Sequence, residues 1–598
     1  MHKVSFITYC LLLAFGSIVT IFLTSGSAGN REAEATTPHY PTDIKETANH
    51  QFLITNKGNK TVELYDSDFL KALQVWDFPD APTGVATIGD YAYITTFETI
   101  GRVHFLNLKT GAVEKVLETG SGATSPLLSS DGKTLYVLNQ FQTTVSEIDL
   151  SKGAIVKSVR VLREPSCAVL SQDNKYLFVS NYLPEQRADI DTVASCVSVI
   201  DLKSFTKVKD IQLANGSNAL RGMCLSPDGK YVFITHNLGR FQVPTNQLQQ
   251  GWMNTSAITI VDASTLENVG SVLLDDPDRG AAGIWGIHCT ADKMIISHSG
   301  THEISVVNYP EMMERFIAYP DKSSLDYDLR FLYGLRQRVL LKGNGPRNFT
   351  ISDDKVYIPT YFSDTLNVVN LTGNQLKSHA LAPNRIESSI DKGEKYFHDA
   401  AYCFQGWQSC IGCHPDARTD GMNWDLMNDG IGNPKNCKSM LYSHVTAPSM
   451  ISGIRETAEA AVRKGFALIQ FAEISEEKAV CVDDYLKALR PVPSPYLVNG
   501  KLSEKAEQGK KVYDQLNCGE CHSGIYYTDM KLHRIGEDIE FEKGWDTPTL
   551  IEVWRTAPYL FDGRAATMED VFETHKHGIN KKVSKKEIEA LVEYVNSL

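Results

Sequence analysis

Two stretches of this 598-residue chain hold chemistry-bearing residues at a defined spacing: Cys410-Ile411-Gly412-Cys413-His414 and Cys518-Gly519-Glu520-Cys521-His522. In Cys-x-x-Cys-His the two thiols are spaced to add to the two vinyl groups of a haem, and the adjoining imidazole is set to become the proximal iron ligand. Cys-x-x-Cys alone also serves zinc and thiol redox sites. Two copies, each completed by its histidine, point instead to two covalently bound haem c groups. Cys410, Cys413, His414, Cys518, Cys521 and His522 are then the cofactor-binding residues, with His414 and His522 on the two irons.

The surroundings of the motifs are doubled. The stretch from Thr446-Ala447-Pro448 to Thr457 aligns without a gap with that from Thr556-Ala557-Pro558 to Thr567, 110 residues on, and the haem cysteines are 108 apart. Residues 475–489 match 584–598, and Lys392-Gly393 mirrors Gln508-Gly509. Residues 385–495 and 496–598 therefore read as two cytochrome c units. Each has an entry helix, a haem motif, a Thr-Ala-Pro loop and a closing helix with apolar residues at helical period.

This half resembles the bacterial di-haem cytochrome c peroxidase and MauG family, most specifically at Trp545-Asp546-Thr547-Pro548-Thr549-Leu550 and over 556–570. The resemblance implies one haem that collects electrons from a small cytochrome or cupredoxin, and one that reacts with hydrogen peroxide or another substrate. The family's second iron ligand falls twelve residues after Gly563, at His575, with His577 and Met568 as rivals. The counterpart in the first unit is Gly465, which has no side chain to offer. Electrons are thus expected to enter at the His522 haem, and peroxide or a substrate to react at the His414 haem, where Met422, Met427 and His444 are further ligand candidates. Peroxide cleavage also needs an acid–base group. The family places a glutamine and a glutamate after its first Asp-Gly-Arg-like loop; here Ser452-Gly453-Ile454-Arg455 precedes Glu456 and Glu459, and the glutamine is missing. Glu456, Glu459 and His444 are the catalytic candidates. Arg455 and Arg564 could fork onto haem propionates, and Trp407 or Trp554 could lie between the haems.

The elements preceding these units are repeated as well. Seven short β-rich runs end in a small polar cluster: 53–56, 93–96, 136–139, 178–181, 233–236, 295–298 and 357–360. Each is followed by an alternating partner run, at 62–65, 103–106, 145–148, 197–200, 258–261, 304–307 and 366–369. Seven units of about four strands define a propeller, and the strand pattern is similar to the YVTN propeller family. The expected fold is multidomain: an all-β seven-bladed propeller over 49–384, then a mainly α di-haem cytochrome c domain. His236 and His298 share one register, with His302 four residues on, so a metal in the propeller funnel is one reading and hydrogen bonds to neighbouring strands the other. The insertion 240–252 is expected to carry contacts, and to face the haem units.

A net charge of −13 argues against nucleic acid as a partner. His2 and Lys3, an apolar run to about Leu23 and small residues around Gly26 and Ala28 read as an export signal over 1–28. Retained, this segment is long enough for a membrane anchor. The expected location is the periplasm or cell envelope, with 29–48 as linker. Export permits disulfides among the cysteines outside the motifs. The competing function is a non-catalytic electron-transfer cytochrome whose propeller binds a protein or glycan. A third reading makes the propeller a dehydrogenase using a funnel metal.

Overall fold

The structure, a computed structural model, describes residues 37–69, 71–242, 253–425, 434–535 and 542–598. The export or anchor segment, most of the 240–252 insertion, and Met427 lie outside the described residues. Among the described residues no helix is long and apolar enough to cross a membrane.

Seven four-stranded antiparallel sheets follow one another along the chain, at 41–77, 82–118, 123–160, 165–212, 217–273, 284–340 and 350–380. The fourth strands, such as Val113–Glu118 and Ala154–Arg160, are mostly exposed, while the second, such as Thr134–Asn139, are buried. First strands therefore line the axis and fourth strands form the rim. The seven run pairs read from the sequence are the second and third strands of the seven blades. One strand falls earlier than expected: Pro41–Glu46, within the stretch taken for linker, is the inner strand of the first blade. Only Ile44 is a large apolar residue there, so no alternation betrays the strand.

The small polar residues ending each second strand explain the motif. In the third place, hydroxyls tie a blade to its own inner strand or to the next blade: Thr55 to Thr42 at 2.9 Å, Thr95 to Thr83 at 2.9 Å, Ser180 to Ser166 at 3.0 Å. A chain of side-chain donors to the next blade's carbonyl then runs round the whole ring. Thr42 donates to Pro82, Thr83 to Ala123, Ser125 to Ser166, Ser166 to Leu220, Thr235 to Trp285, Ser297 to Arg347, and Asn348 back to Thr42. Each such bond is worth about 1 kcal/mol net, and together they close the ring. Ile44, Phe52, Tyr357 and Leu366 pack across the closing seam.

The C-terminal region consists of two similar helical units. Entry helices Ser389–His398 and Glu504–Gln515 cross closing helices Glu476–Ala488 and Lys585–Asn596. The crossing points are Gly393 and Gly509: a Cβ on either would lie 1.8 Å from the carbonyl oxygen of Cys481 or Ala590. Gly393→Ala and Gly509→Ala are each expected to cost about 3 kcal/mol by forcing the helices apart, read as a lower denaturation midpoint. The units face each other through reciprocal bonds, as in a two-fold pair. Asn436 N–H donates to the Phe561 carbonyl at 2.7 Å, and Asp546 N–H, 110 residues on, donates to Ile451 at 2.9 Å.

Candidate functional site

Each Cys-x-x-Cys-His begins as one turn of 3-10 helix, Cys410–Gly412 and Cys518–Glu520. In that geometry positions i and i+3 eclipse, so the two thiols of a motif lie on one side. The turn is closed by the histidine's own N–H, which donates to the Cys410 or Cys518 carbonyl at 2.9 Å. His414 Nδ1 lies 3.0 Å from the Arg418 carbonyl oxygen, and His522 Nδ1 3.2 Å from that of Tyr527. Nδ1 therefore carries the proton and donates, leaving the Nε2 lone pair for a metal. Burial pushes both imidazoles below their ordinary value, against backbone hydrogen bonds that raise them, so both stay neutral. Paired thiols, fixed tautomer and neutral ring are what a covalent haem needs, and both motifs fit it.

The two motifs have different surroundings. The first is docked on the fifth blade. Asn237 Nδ2 donates to the Gly412 carbonyl at 3.2 Å, and Asn254 Nδ2 lies 2.8 Å from Gln408 Oε1 and 3.5 Å from Cys413 Sγ. Gly412 is needed there, since a Cβ would meet the Asn254 side chain at 2.8 Å. The second motif is backed by its own unit, with the Tyr513 hydroxyl donating to the His522 carbonyl at 2.6 Å.

Opposite His522 stands His577, with ring centres 6.3 Å apart and planes at 53°. Two imidazoles bound at about 2 Å to a metal between them would hold their ring centres about 6 Å apart. Burial, and the neighbouring His522, push His577 down to about 4. The sequence pointed first to His575; the structure turns its rival to His522. The reason is the end of helix Met568–Glu573. Lys576 takes a left-handed φ of 52°, and the His577 N–H bonds back to the Val571 carbonyl at 3.0 Å. A lysine thus takes the left-handed turn where glycine is usual, so residue counting along a continued helix lands two places early.

In the first unit, helix Ala458–Leu468 runs through Gly465. The places 108 to 110 residues before His577 are Ile469, Leu468 and Ala467, none of which carries a donor atom. The other first-unit candidates are engaged elsewhere. His444 Nε2 is 3.0 Å from Asp483, which also takes Arg463 at 2.5 Å. Met422 is buried against the propeller with its sulfur 3.8 Å from Asn218 Nδ2. Glu456 is exposed. Glu459 pairs with Lys487 at 3.1 Å, and although burial raises its carboxyl, the backbone and Lys487 hold it lower overall. Trp407 donates to Gln405 at 2.9 Å, and Trp554 packs edge-on against Phe141 of the third blade. Arg564 lies 2.7 Å from Asp562.

Two features had no sequence signal. Cys437 Sγ lies 3.4 Å from His414 Nδ1, beside buried Asp420, whose carboxyl burial pushes up to about 7. Arg555 joins three bodies: Glu164 of the propeller at 3.0 Å, Asp416 of the first unit at 2.8 Å and Glu552 of its own unit at 3.7 Å. Glu552 also takes Arg418 at 2.7 Å. No disulfide links the described cysteines.

His236 and His298 do not converge. Their Nε2 atoms meet Thr259 and Ser305 hydroxyls of the neighbouring strand at 2.7 and 2.8 Å, as Asn139 and Asn181 meet Ser146 and Ser198 in the same register. His302 instead lies 3.1 Å from Asp399. Among the described residues no cluster of three or more metal-ligating side chains exists. His298→Ala is expected to cost about 2 kcal/mol by orphaning Ser305 and the Ala281 carbonyl, with haem content unchanged. Burial pushes His236 and His298 down to about 4 and about 3. Below pH ~6.5 the unfolded chain binds protons that the native one does not. Their stabilisation is thus full above that pH and lost as pH falls toward those values, which an acid-unfolding series reads directly.

These observations define a seven-bladed propeller carrying a doubled helical region with two Cys-x-x-Cys-His turns. No protein-family model matches the chain. It is similar to hydrazine synthase subunit gamma of Kuenenia stuttgartiensis, 25% identical over 34% of this chain and 76% of that subunit. It is also similar to subunit beta of the same organism's enzyme, 27% identical over 30% of this chain and 49%, about half, of that subunit. Among solved structures, a chain of Kuenenia stuttgartiensis hydrazine synthase aligns over 59% of this chain and 99% of its own length, at TM-score 0.50 and 20% identity. That agreement is one of fold.

Proposed function

We propose that this chain is an exported di-haem c-type cytochrome and an oxidoreductase, with electrons entering at the His522 haem and a small molecule reacting at the His414 haem. The observation that carries this is the inequality of the two units: His577 faces His522 at 6.3 Å, and the equivalent places of the first unit hold no ligand atom. A haem at each motif supplies one-electron chemistry, tuned by its axial ligands. His577 closes the second site, making it a relay that receives electrons from a small redox protein. His414, its Nδ1 fixed by the Arg418 carbonyl, leaves the opposite face of the first site for a substrate.

The similarity to hydrazine synthase subunits favours a small inorganic nitrogen compound as that substrate. Hydrogen peroxide is the second reading, favoured by the resemblance over 545–570. It draws no support from Glu456, which is exposed, or from Glu459, which is ion-paired. Carbon monoxide added to the reduced full-length protein is expected to bind one haem per chain. Binding to both haems, or to neither, would sink the proposal. Peroxide consumption at rates well above free haem would select the second reading.

A further inference from the structure

The two helical units touch through a pair of counterpart residues beside their haem motifs. Tyr442 and Glu552, 110 residues apart, hold the same left-handed place before a 3-10 turn, with φ of 61° and 62°. Each reaches across to the loop that fixes the other unit's histidine. Glu552 binds the Arg418 guanidinium at 2.7 Å, and the Arg418 carbonyl accepts from His414 Nδ1. Tyr442 meets Tyr526, with ring centres 5.0 Å apart and planes at 53°. The next residue, Tyr527, offers the carbonyl that accepts from His522 Nδ1. One crossing is ionic and saturated, and its counterpart is aromatic.

The aromatic crossing is tied back to the first histidine as well. Met440 N–H donates to the Ala417 carbonyl at 3.1 Å, and Ala417 is the residue before Arg418. A route from His522 to His414 follows. It runs from His522 Nδ1 to the Tyr527 carbonyl, along the chain to Tyr526, across one ring contact to Tyr442, and along the chain to Met440. From there it passes by hydrogen bond to Ala417 and by chain to Arg418, whose carbonyl meets His414 Nδ1 at 3.0 Å. The ring contact is its one step without a covalent or hydrogen bond. Both tyrosines are half-buried. Burial, and then Tyr526, push the Tyr442 hydroxyl above its ordinary value, so the ring stays neutral. The two tryptophans expected between the haems are turned elsewhere: Trp407 to Gln405 of its own unit, and Trp554 to Phe141 of the propeller.

We propose that Tyr442 and Tyr526 form the bridge by which an electron passes from the His522 site to the His414 site. The proposal rests on the reading that both motifs hold haem and that the second relays to the first. One electron moves: the iron at His522 is oxidised and the iron at His414 is reduced. No bond forms or breaks, no proton is transferred, and both tyrosines end as they began, because their π systems only couple the two sites. They are positioning residues, and the coupling belongs to the rings and not to the hydroxyls.

The test is flash photolysis of carbon monoxide from the half-reduced full-length holoprotein, with the return of the electron between the sites followed by absorbance. Tyr442→Leu and Tyr526→Leu are each expected to slow that transfer at least about tenfold, the lower end for changes around a metal site's ligands. Tyr442→Phe and Tyr526→Phe are expected to keep the parent rate, and Trp554→Leu likewise. The oxidised spectra of all five variants should match the parent's, which separates a change in coupling from a change in ligation. If one leucine variant fails to fold, the other carries the test alone. Three results overturn the proposal: parent rates in the leucine variants, slowing by phenylalanine as large as by leucine, or a parent that binds carbon monoxide at one site and shows no transfer. Carbon monoxide at both sites, or at neither, sinks instead the reading beneath it, and the bridge falls with that reading.

Discussion

Replacing His577 with alanine is expected to convert one of the two proposed haems from low spin to high spin, while His575→Ala leaves the spectrum as it was. The two residues are neighbours on one helix end, yet only His577 faces His522, at 6.3 Å. The left-handed turn at Lys576 and the bond from His577 N–H to Val571 hold it there. Removing it would open the proposed relay haem to water and small ligands, so carbon monoxide binding is expected to rise from one site to two. Electron delivery suffers in proportion to the changed ligation. Turnover with an artificial donor is expected to fall by about 10²-fold, the upper range for disturbing a metal site's ligand shell. Lys576→Gly, which favours the left-handed turn, should leave ligation intact. A His575→Ala protein that loses the low-spin signal while His577→Ala keeps it would reverse the assignment.

Arg555→Met is expected to be the most destabilising single change outside the haem motifs, at about 3–5 kcal/mol, the cost of breaking a buried ion pair from one side. Its guanidinium is nearly wholly buried among Glu164, Asp416 and Glu552, and its carbonyl accepts from Arg163 at 2.5 Å. Removing it leaves the carboxylates of Glu164 and Asp416 without their ion-pair partner and Glu552 with Arg418 as its remaining ion pair. The acid limb follows from Asp416. Burial raises its carboxyl, but Arg555 and Arg221 hold it down at about 2. Its contribution is therefore full above the ordinary aspartate value of about 4 and lost as pH falls through about 2. In Arg555→Met that loss should begin at higher pH. Denaturant melts between pH 2 and 7 test both statements, and an Arg555→Met midpoint within 0.5 kcal/mol of the parent, about the scatter of surface substitutions, would contradict them.

The propeller was legible because its code is local. Each Tyr136-Val137-Leu138-Asn139-type run is a buried second strand, and its last residue, where it is Asn or His, meets the third strand of its own blade. Even the shared register of His236 and His298 had its answer in Asn139 and Asn181, which make the same cross-strand bond. Pro41–Glu46 escaped notice because a six-residue strand with one large apolar side chain shows no period. The doubling of the helical units was also readable, down to Gly393 and Gly509 at the helix crossings. The environment of the motifs was not. Docking of Gly412 on Asn237 and Asn254 joins residues more than 150 positions apart, and Arg555 meets Glu164 across 391. Such contacts leave no trace in spacing. His577 was ranked behind His575 because spacing does not show that a lysine takes the backbone conformation usual for glycine.

The central claim, that the two haem sites are unequal, is tested most directly by low-temperature electron paramagnetic resonance of the oxidised full-length protein at neutral pH. Two signals of equal weight are expected: a low-spin ferric signal with bis-imidazole character from His522 and His577, and a high-spin ferric signal from the His414 site. Two low-spin signals, or two high-spin ones, would contradict it.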